Sequence, residues 1–159
     1  IIMDIVTAPN EVVTQNKIVF LAGTIEMGHA EEWQTQWAER HNNKKITFLN
    51  PRRKEWDASW KQSINEPKFK QQVDWELDGL EYANEVWFYL KGGSMSPISL
   101  MELGYMAAFK RSNPYTEVYV VCDKNFWRRG NVEIICDRTN IPLYDNVEIF
   151  HHDMDLRYA

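Results

Sequence analysis

Glu102 is the only charged residue in the run Pro97-Ile-Ser-Leu-Met-Glu102-Leu-Gly-Tyr-Met-Ala-Ala-Phe109. The run reads as a helix packed on most of its sides, and a carboxylate kept there without a partner is costly unless it is used. Ser96-Pro97 reads as an N-cap followed by proline at the first helical position, which sets Glu102 about a turn and a half into the helix. A nucleophile or general base can be held rigidly at such a place. The plainer alternative is a Glu that faces solvent or meets one of the chain's 18 Lys and Arg residues. Just upstream, Gly92-Gly93-Ser94-Met95-Ser96 combines glycines, which let backbone N–H groups approach a ligand closely, with hydroxyl donors at a helix amino terminus. That chemistry suits an anion, although the same turn is also an ordinary way to open a helix.

The elements that must position these residues follow from hydrophobic periodicity. Lys17-Ile-Val-Phe-Leu-Ala22 predicts a strand ending at Gly23-Thr24, followed by an amphipathic helix from about Ala30 to Arg40. Ile46-Thr-Phe-Leu49 predicts a second strand, and Asn50-Pro51-Arg52-Arg53 with the Trp56/Trp60 region a long polar-aromatic loop. A helix opens at Pro67, runs through Val73, Leu77 and Leu80, and feeds the strand Val86-Trp-Phe-Tyr-Leu90. Beyond the Glu102 helix come the strand Val118-Tyr-Val-Val-Cys122, a loop punctuated by Gly130, a helix near Val132–Arg138 and a weak last strand around Val147–Phe150. The tail His151–Ala159 reads as surface. Alternating strands and helices imply an α/β fold with a parallel sheet covered on both faces, whose ligand sits outside the carboxyl ends of the strands at a topological switch point. Four polar clusters begin where strands stop: Gly23-Thr24-Ile25, Asn50-Pro51-Arg52-Arg53, Gly92 to Ser96, and the loop after Cys122. Asp123, Arg128 and Arg129 in the last of these read as a solvated face.

The 159 residues suit a single domain spanning 1–159, with no repeat or low-complexity segment. A composition 44% hydrophobic and 13% aromatic argues a packed globule rather than disorder. The net charge of −5 argues against an extended nucleic-acid footprint, while leaving room for a small anionic ligand. Cys122 and Cys136 show no CxxC spacing and read as reduced core thiols. No long apolar span and no leader pattern are evident, so the expectation is a cytoplasmic protein without membrane contact. The opening Ile1-Ile2-Met3 reads as an appended remnant. GxxxxGK[ST], GxGxxG, HExxH and GxSxG are all absent, which disfavours P-loop, dinucleotide, zincin and serine-hydrolase chemistry. His151-His152-Asp153 has metal-ligating side chains, but neighbours in a regular element point apart, so the segment reads as tail rather than as a metal site. His29, after Gly28, is a possible ligand contact or a solvated loop residue. Trp33 and Trp37 share a helix face; Trp56 and Trp60 either close the core under a long loop or stack on a flat ligand.

The segment Ser96-Pro-Ile-Ser-Leu-Met-Glu102-Leu-Gly-Tyr105 resembles the nucleophile segment of the nucleoside 2-deoxyribosyltransferases and related nucleotide N-glycosidases, where the Glu of an (M/Y)ELG helix attacks the anomeric carbon. Further matching points are Ala22-Gly-Thr-Ile25, Glu76-Leu-Asp-Gly-Leu80 and Gly130-Asn-Val132, so the resemblance covers most of the chain. Asn50-Pro51-Arg52-Arg53, Trp56 and Ser96-Pro97 look like the branch called deoxyribosyltransferase-like.

The resemblance implies a doubly wound three-layer sandwich, flavodoxin- or Rossmann-like, with a mainly parallel five-stranded sheet. It implies cleavage or transfer at the N-glycosidic bond of nucleosides or their 5′-monophosphates, with no cofactor. Glu102 becomes the covalent nucleophile, and Glu76 or Asp78 the acid for the departing base; the family's spacing favours Glu76, with Asp74 also open. Gly23, Thr24, Ile25, Asn50, Arg52, Arg53, Gly93, Ser94 and Ser96 become substrate contacts. Asn131 matches a residue that reaches into the sugar site of a neighbouring subunit, which implies a homo-oligomer with sites at its interface. The nucleoside transferases carry Asp where this chain has Ser96, and that Asp bonds the sugar's 5′-hydroxyl. A Ser there resembles the glycosidases of 5′-monophosphates, and Arg52 or Arg53 adds charge or reads the base edge. Hydrolysis is then favoured over transfer. The alternatives are a non-catalytic nucleotide-binding module on the same scaffold and a glycosidase of NAD-like dinucleotides.

Overall fold

A computed structural model describes residues 2–25 and 31–159. In chain order the elements are β1 (Asp4–Thr7), β2 (Lys17–Gly23), α1 (Trp33–Arg40), β3 (Ile46–Asn50), α2 (Pro67–Tyr82), β4 (Glu85–Leu90), α3 (Pro97–Ser112), β5 (Glu117–Cys122), α4 (Arg129–Thr139), β6 (Leu143–Tyr144) and α5 (Val147–Arg157). All strand pairs are parallel, in the order β1-β3-β2-β4-β5-β6. The order reverses between β2 and β4, so the switch point lies where Gly23 pairs with Tyr89.

Side-chain alternation along the strands builds one core on each face of the sheet. Phe20, Leu49, Phe88 and Val120 point to the face covered by α2, α3 and α4, packing with Leu80, Leu103, Met106 and Cys136. Val19, Leu21, Phe48, Trp87 and Val121 point to the other, packing with Trp33 and Trp37 of α1 and Phe150 and Met154 of α5. This is the expected doubly wound α/β sandwich, and both cysteines are free and buried. Gly79 brings α2 close to the sheet, since a Cβ there would lie 2.8 Å from the Phe20 ring.

The sheet has six strands rather than five. The two edge strands escape the sequence pattern because β1 offers only Ile5-Val6 as an apolar pair and β6 is two residues long. Val147–Phe150, expected as a strand, is the first turn of α5. Its Val-Glu-Ile-Phe alternation imitates a strand, but Asn146 caps a helix there by accepting from Ile149 N at 2.9 Å. The tail is accordingly not surface throughout. Phe150, His151 and Met154 are buried, and Arg157 and Tyr158 reach the carboxylate of Glu85 at the start of β4. Gly130 lies inside α4 rather than ahead of it. The first helix is seen from Trp33; Ala30, its expected start, is outside the described residues. No helix among the described residues is long and apolar enough to cross a membrane.

Candidate functional site

At the switch point the carboxyl ends of β2 and β4 come together with the amino end of α3. Gly23 has φ +146°, and a Cβ on it would stand 2.2 Å from the Tyr89 carbonyl oxygen, so only glycine admits this approach. Thr24 N donates to that same carbonyl at 3.0 Å. The Thr24 hydroxyl then meets Ser96 Oγ at 2.7 Å and Ser94 Oγ at 3.0 Å, while the two serine oxygens are 2.9 Å apart. Lys91 N donates to Thr24 Oγ1, and Ser94 Oγ donates to Lys91 O at 2.7 Å. Three buried hydroxyls from two segments thus form a triangle. Ser96 does precede Pro97 as expected, but its backbone is left-handed at φ 46° and its side chain does not cap α3; the hydroxyl belongs to the triangle instead. Gly93 has φ +85° in the turn before it, and Ile25 stands half-exposed beside Thr24. Asp123 is not simply solvated, since its Oδ2 accepts from Gly92 N at 2.8 Å and braces this turn. Arg129 likewise turns inward, donating to Cys122 O.

A turn and a half along α3, Glu102 is 6% exposed. The carboxyl of Glu76, from the neighbouring α2, is hydrogen-bonded to it. Burial pushes both groups above the ordinary carboxylate value, Glu102 well above it, and the charge of Glu76 adds to the rise at Glu102. Two carboxyls in contact share one proton between them. Neither has a cationic partner among the described residues. The pair is oriented by Gln72, which the sequence reading missed: its Nε2 donates to Glu76 Oε2 at 3.0 Å and to the Pro51 carbonyl at 2.7 Å. The i, i+4 spacing of Gln72 and Glu76 was the available signal.

The loop after β3 places its two arginines differently. Asn50 is buried and turns the loop by accepting from Arg52 N at 2.9 Å. Arg52 Nη1 donates to Glu31 O at 2.6 Å and its Nε lies 3.4 Å from Glu32. Arg53 is buried, with its guanidinium on Glu55 at 2.9 Å and over the ring of Trp60 at 5.2 Å. Trp56 packs edge-on against Trp60, and both are half-buried, so they close this loop rather than enter the main core.

Asp78 is exposed, about 200° around α2 from Glu76. Asp74 is exposed and paired with Lys70. Asn131 is exposed near the start of α4 and meets none of the residues above. His29 lies outside the described residues. His151 is buried against His41 at 2.9 Å, and no group of three or more metal-ligating side chains occurs among the described residues. A cavity of about 710 Å³ lined by Arg40, Lys44, Asp155 and Tyr158 lies at the opposite, amino end of the strands, where Asp155 already pairs with Arg40 and Lys44.

A hydroxyl cluster at the amino end of a helix can receive an anionic oxygen, and a buried carboxyl pair sharing one proton can supply a nucleophile and an acid together. No curated protein matches the chain. The profile of the family described as nucleoside 2-deoxyribosyltransferase-like matches residues 16–126, a span that runs from β2 through the hydroxyl triangle and the Glu76–Glu102 pair to the loop after β5, and the chain belongs to that family.

Proposed function

We propose that the protein cleaves the N-glycosidic bond of nucleoside 5′-monophosphates through a glycosyl ester on Glu102, with water as the favoured acceptor. Family membership supports chemistry at an N-glycosidic bond in general. The observation that carries the finer reading is the Glu76–Glu102 pair, a buried and a partly buried carboxyl in contact with no cation beside them among the described residues. Such a pair is destabilising as structure, and glycosidic cleavage needs its two roles. Glu102 Oε attacks the anomeric carbon as the bond to the base breaks, and the proton shared by the pair passes through Glu76 to the departing base nitrogen. Glu76, now a carboxylate, takes a proton from water as that water attacks the glycosyl ester, releasing the sugar and restoring the one-proton pair.

The hydroxyl triangle supports the monophosphate preference. Thr24, Ser94 and Ser96 satisfy one another, and each hydroxyl rotor can turn toward a phosphate oxygen, where an Asp at position 96 would repel it. Asn131 and the exposed stripe Ile98, Met101 and Tyr105 on α3 support a homo-oligomer: the stripe flanks Glu102, and a second copy covering it brings its own residues to the mouth of the site. This departs from a helix packed on most of its sides.

The test is release of free base from a panel of nucleosides and their 5′-monophosphates, followed by chromatography. Glu102→Gln is expected to lose release altogether, and Glu76→Gln to lose about 10²–10⁴-fold. A rapidly quenched reaction should carry a protein mass increment of one pentosyl phosphate. Nucleosides cleaved as well as monophosphates would remove the phosphate preference; tight nucleotide binding with no release from any substrate would make the protein a binding module.

A further inference from the structure

Among the described residues, three buried polar atoms around the Gln72 support of the carboxyl pair have no hydrogen-bond partner: Arg53 Nη1, Trp56 Nε1 and Gln72 Oε1. Unsatisfied buried groups are costly, and a cluster of them beside a candidate site points to a ligand that completes them. They belong to one neighbourhood. Gln72 is tied to the loop through the Pro51 carbonyl, Arg53 follows two residues later, and Trp60 contacts both the Arg53 guanidinium and the Trp56 ring. Arg53 and Gln72 are 5% and 4% exposed, so neither orphan is met by bulk water in passing.

Their chemistry is unambiguous. Arg53 and Trp56 can only donate. The Gln72 amide is fixed by the Pro51 carbonyl, which can only accept, so Nε2 faces Pro51 and the free atom is the acceptor Oε1. The other two guanidinium nitrogens of Arg53, Nε and Nη2, each donate to Glu55. Gln72 Nε2 also holds Glu76, so whatever meets Oε1 is adjacent to the acid of the pair.

We infer that these three atoms read the edge of an oxo-base: carbonyl oxygens accept from Arg53 Nη1–H and Trp56 Nε1–H, and the ring N–H between or beside them donates to Gln72 Oε1. A 2,4-dioxopyrimidine uses all three, and a 6-oxopurine uses at least two. Amino-bases fit badly, because their amino group meets the Arg53 donor and their unprotonated ring nitrogen meets the Gln72 acceptor. The inference rests on the proposed base release for its setting and names the base class that the reaction takes.

The experiment measures base release by the wild-type protein from dUMP, dTMP, dGMP, dIMP, dCMP and dAMP, and binding of the same six to Glu102→Gln by calorimetry. Two mismatched hydrogen bonds at about tenfold each predict an oxo-over-amino preference of about a hundredfold in kcat/KM and in affinity. Trp56→Phe, which keeps an aromatic six-membered ring but loses the indole N–H together with the rest of the pyrrole ring, should lower the dioxopyrimidine-to-amino ratio about tenfold, with its melting temperature checking the fold. Equal or better handling of dCMP and dAMP by the wild type overturns the inference, as does a Trp56→Phe change that lowers all six alike. Oxo-selective binding without release from any nucleotide upholds the inference and sinks the glycosidase reading; release without base preference does the reverse.

Discussion

Replacing Glu102 by Gln should stabilise the protein, by an amount that grows with pH. The folded pair holds a proton above the ordinary carboxylate value of 4.5 because Glu102 is buried, Glu76 is largely withdrawn from water, and the two carboxyls are in contact. An unfolded glutamate has already released its proton at that pH. From about 4.5 up to the pair's native pKa the folded state therefore binds more protons than the unfolded one, and stability falls as pH rises. One proton corresponds to about 1.4 kcal/mol per pH unit. With an unfolding entropy of about 2.1 cal/mol/K per residue, a chain this size loses about 4 °C per pH unit from this source. In Glu102→Gln the amide donates to Glu76, and the proton is no longer needed. Burial sets an opposing trend at the other end of the sheet: it pushes His41 down to about 3 and His151 to about 4, so their contribution is complete above 6.5 and is lost as pH falls below it. That pair is untouched by the substitution and cancels in the difference. Thermal melts of both proteins at pH 5, 6, 7 and 8 and constant ionic strength should show a gap that opens upward from pH 5 and levels once the native pair has lost its proton. A gap that is constant across the series would refute the shared proton.

Gly23→Ala places a Cβ 2.2 Å from the Tyr89 carbonyl at φ +146°, so it should cost at least about 2 kcal/mol, seen as a melting-point drop of about 6 °C, and reduce base release by displacing Thr24. Phe150→Ala should cost about 3–5 kcal/mol in a chemical denaturation series, because the ring packs between Trp37, Trp87 and Tyr144; a loss under 1 kcal/mol would mean that α5 is not part of the core. Ile98→Lys with Met101→Lys, both on the exposed stripe, should leave folding intact by circular dichroism and reduce the molecular mass in light scattering to that of one chain; an unchanged mass would place any self-association elsewhere.

The four inner strands were legible because a parallel strand buried on both faces is a continuous apolar run, as in Val86–Leu90 and Val118–Cys122. Edge strands carry no such signal: β1 and β6 are held by pairing with β3 and β5 and show too few apolar residues to be seen alone. At the site, residue type and place were legible for Glu102 and for the glycine and hydroxyl turns, since a charge in an apolar helix and a glycine at a strand end are local facts. What the local pattern lacks is partners. Gln72 reads as one more polar position on α2, and only the packing of α2 beside α3 makes it the support of a carboxyl pair.

Partners also decide which buried carboxylate does chemistry. Glu85 is buried more completely than Glu102, with no exposed surface at all. Burial raises it too, yet its acidity is pulled the other way by Lys17 at 2.8 Å, the Tyr158 hydroxyl at 2.6 Å and the Trp87 indole N–H at 3.0 Å, so it stays ionised and pins α5 to the sheet. Glu102 has instead a second acid as its neighbour. A buried carboxylate ringed by donors is a strut, because every change of its charge is opposed. One set against another carboxyl gives up or takes a proton with little change around it, which is the property that a nucleophile paired with an acid requires.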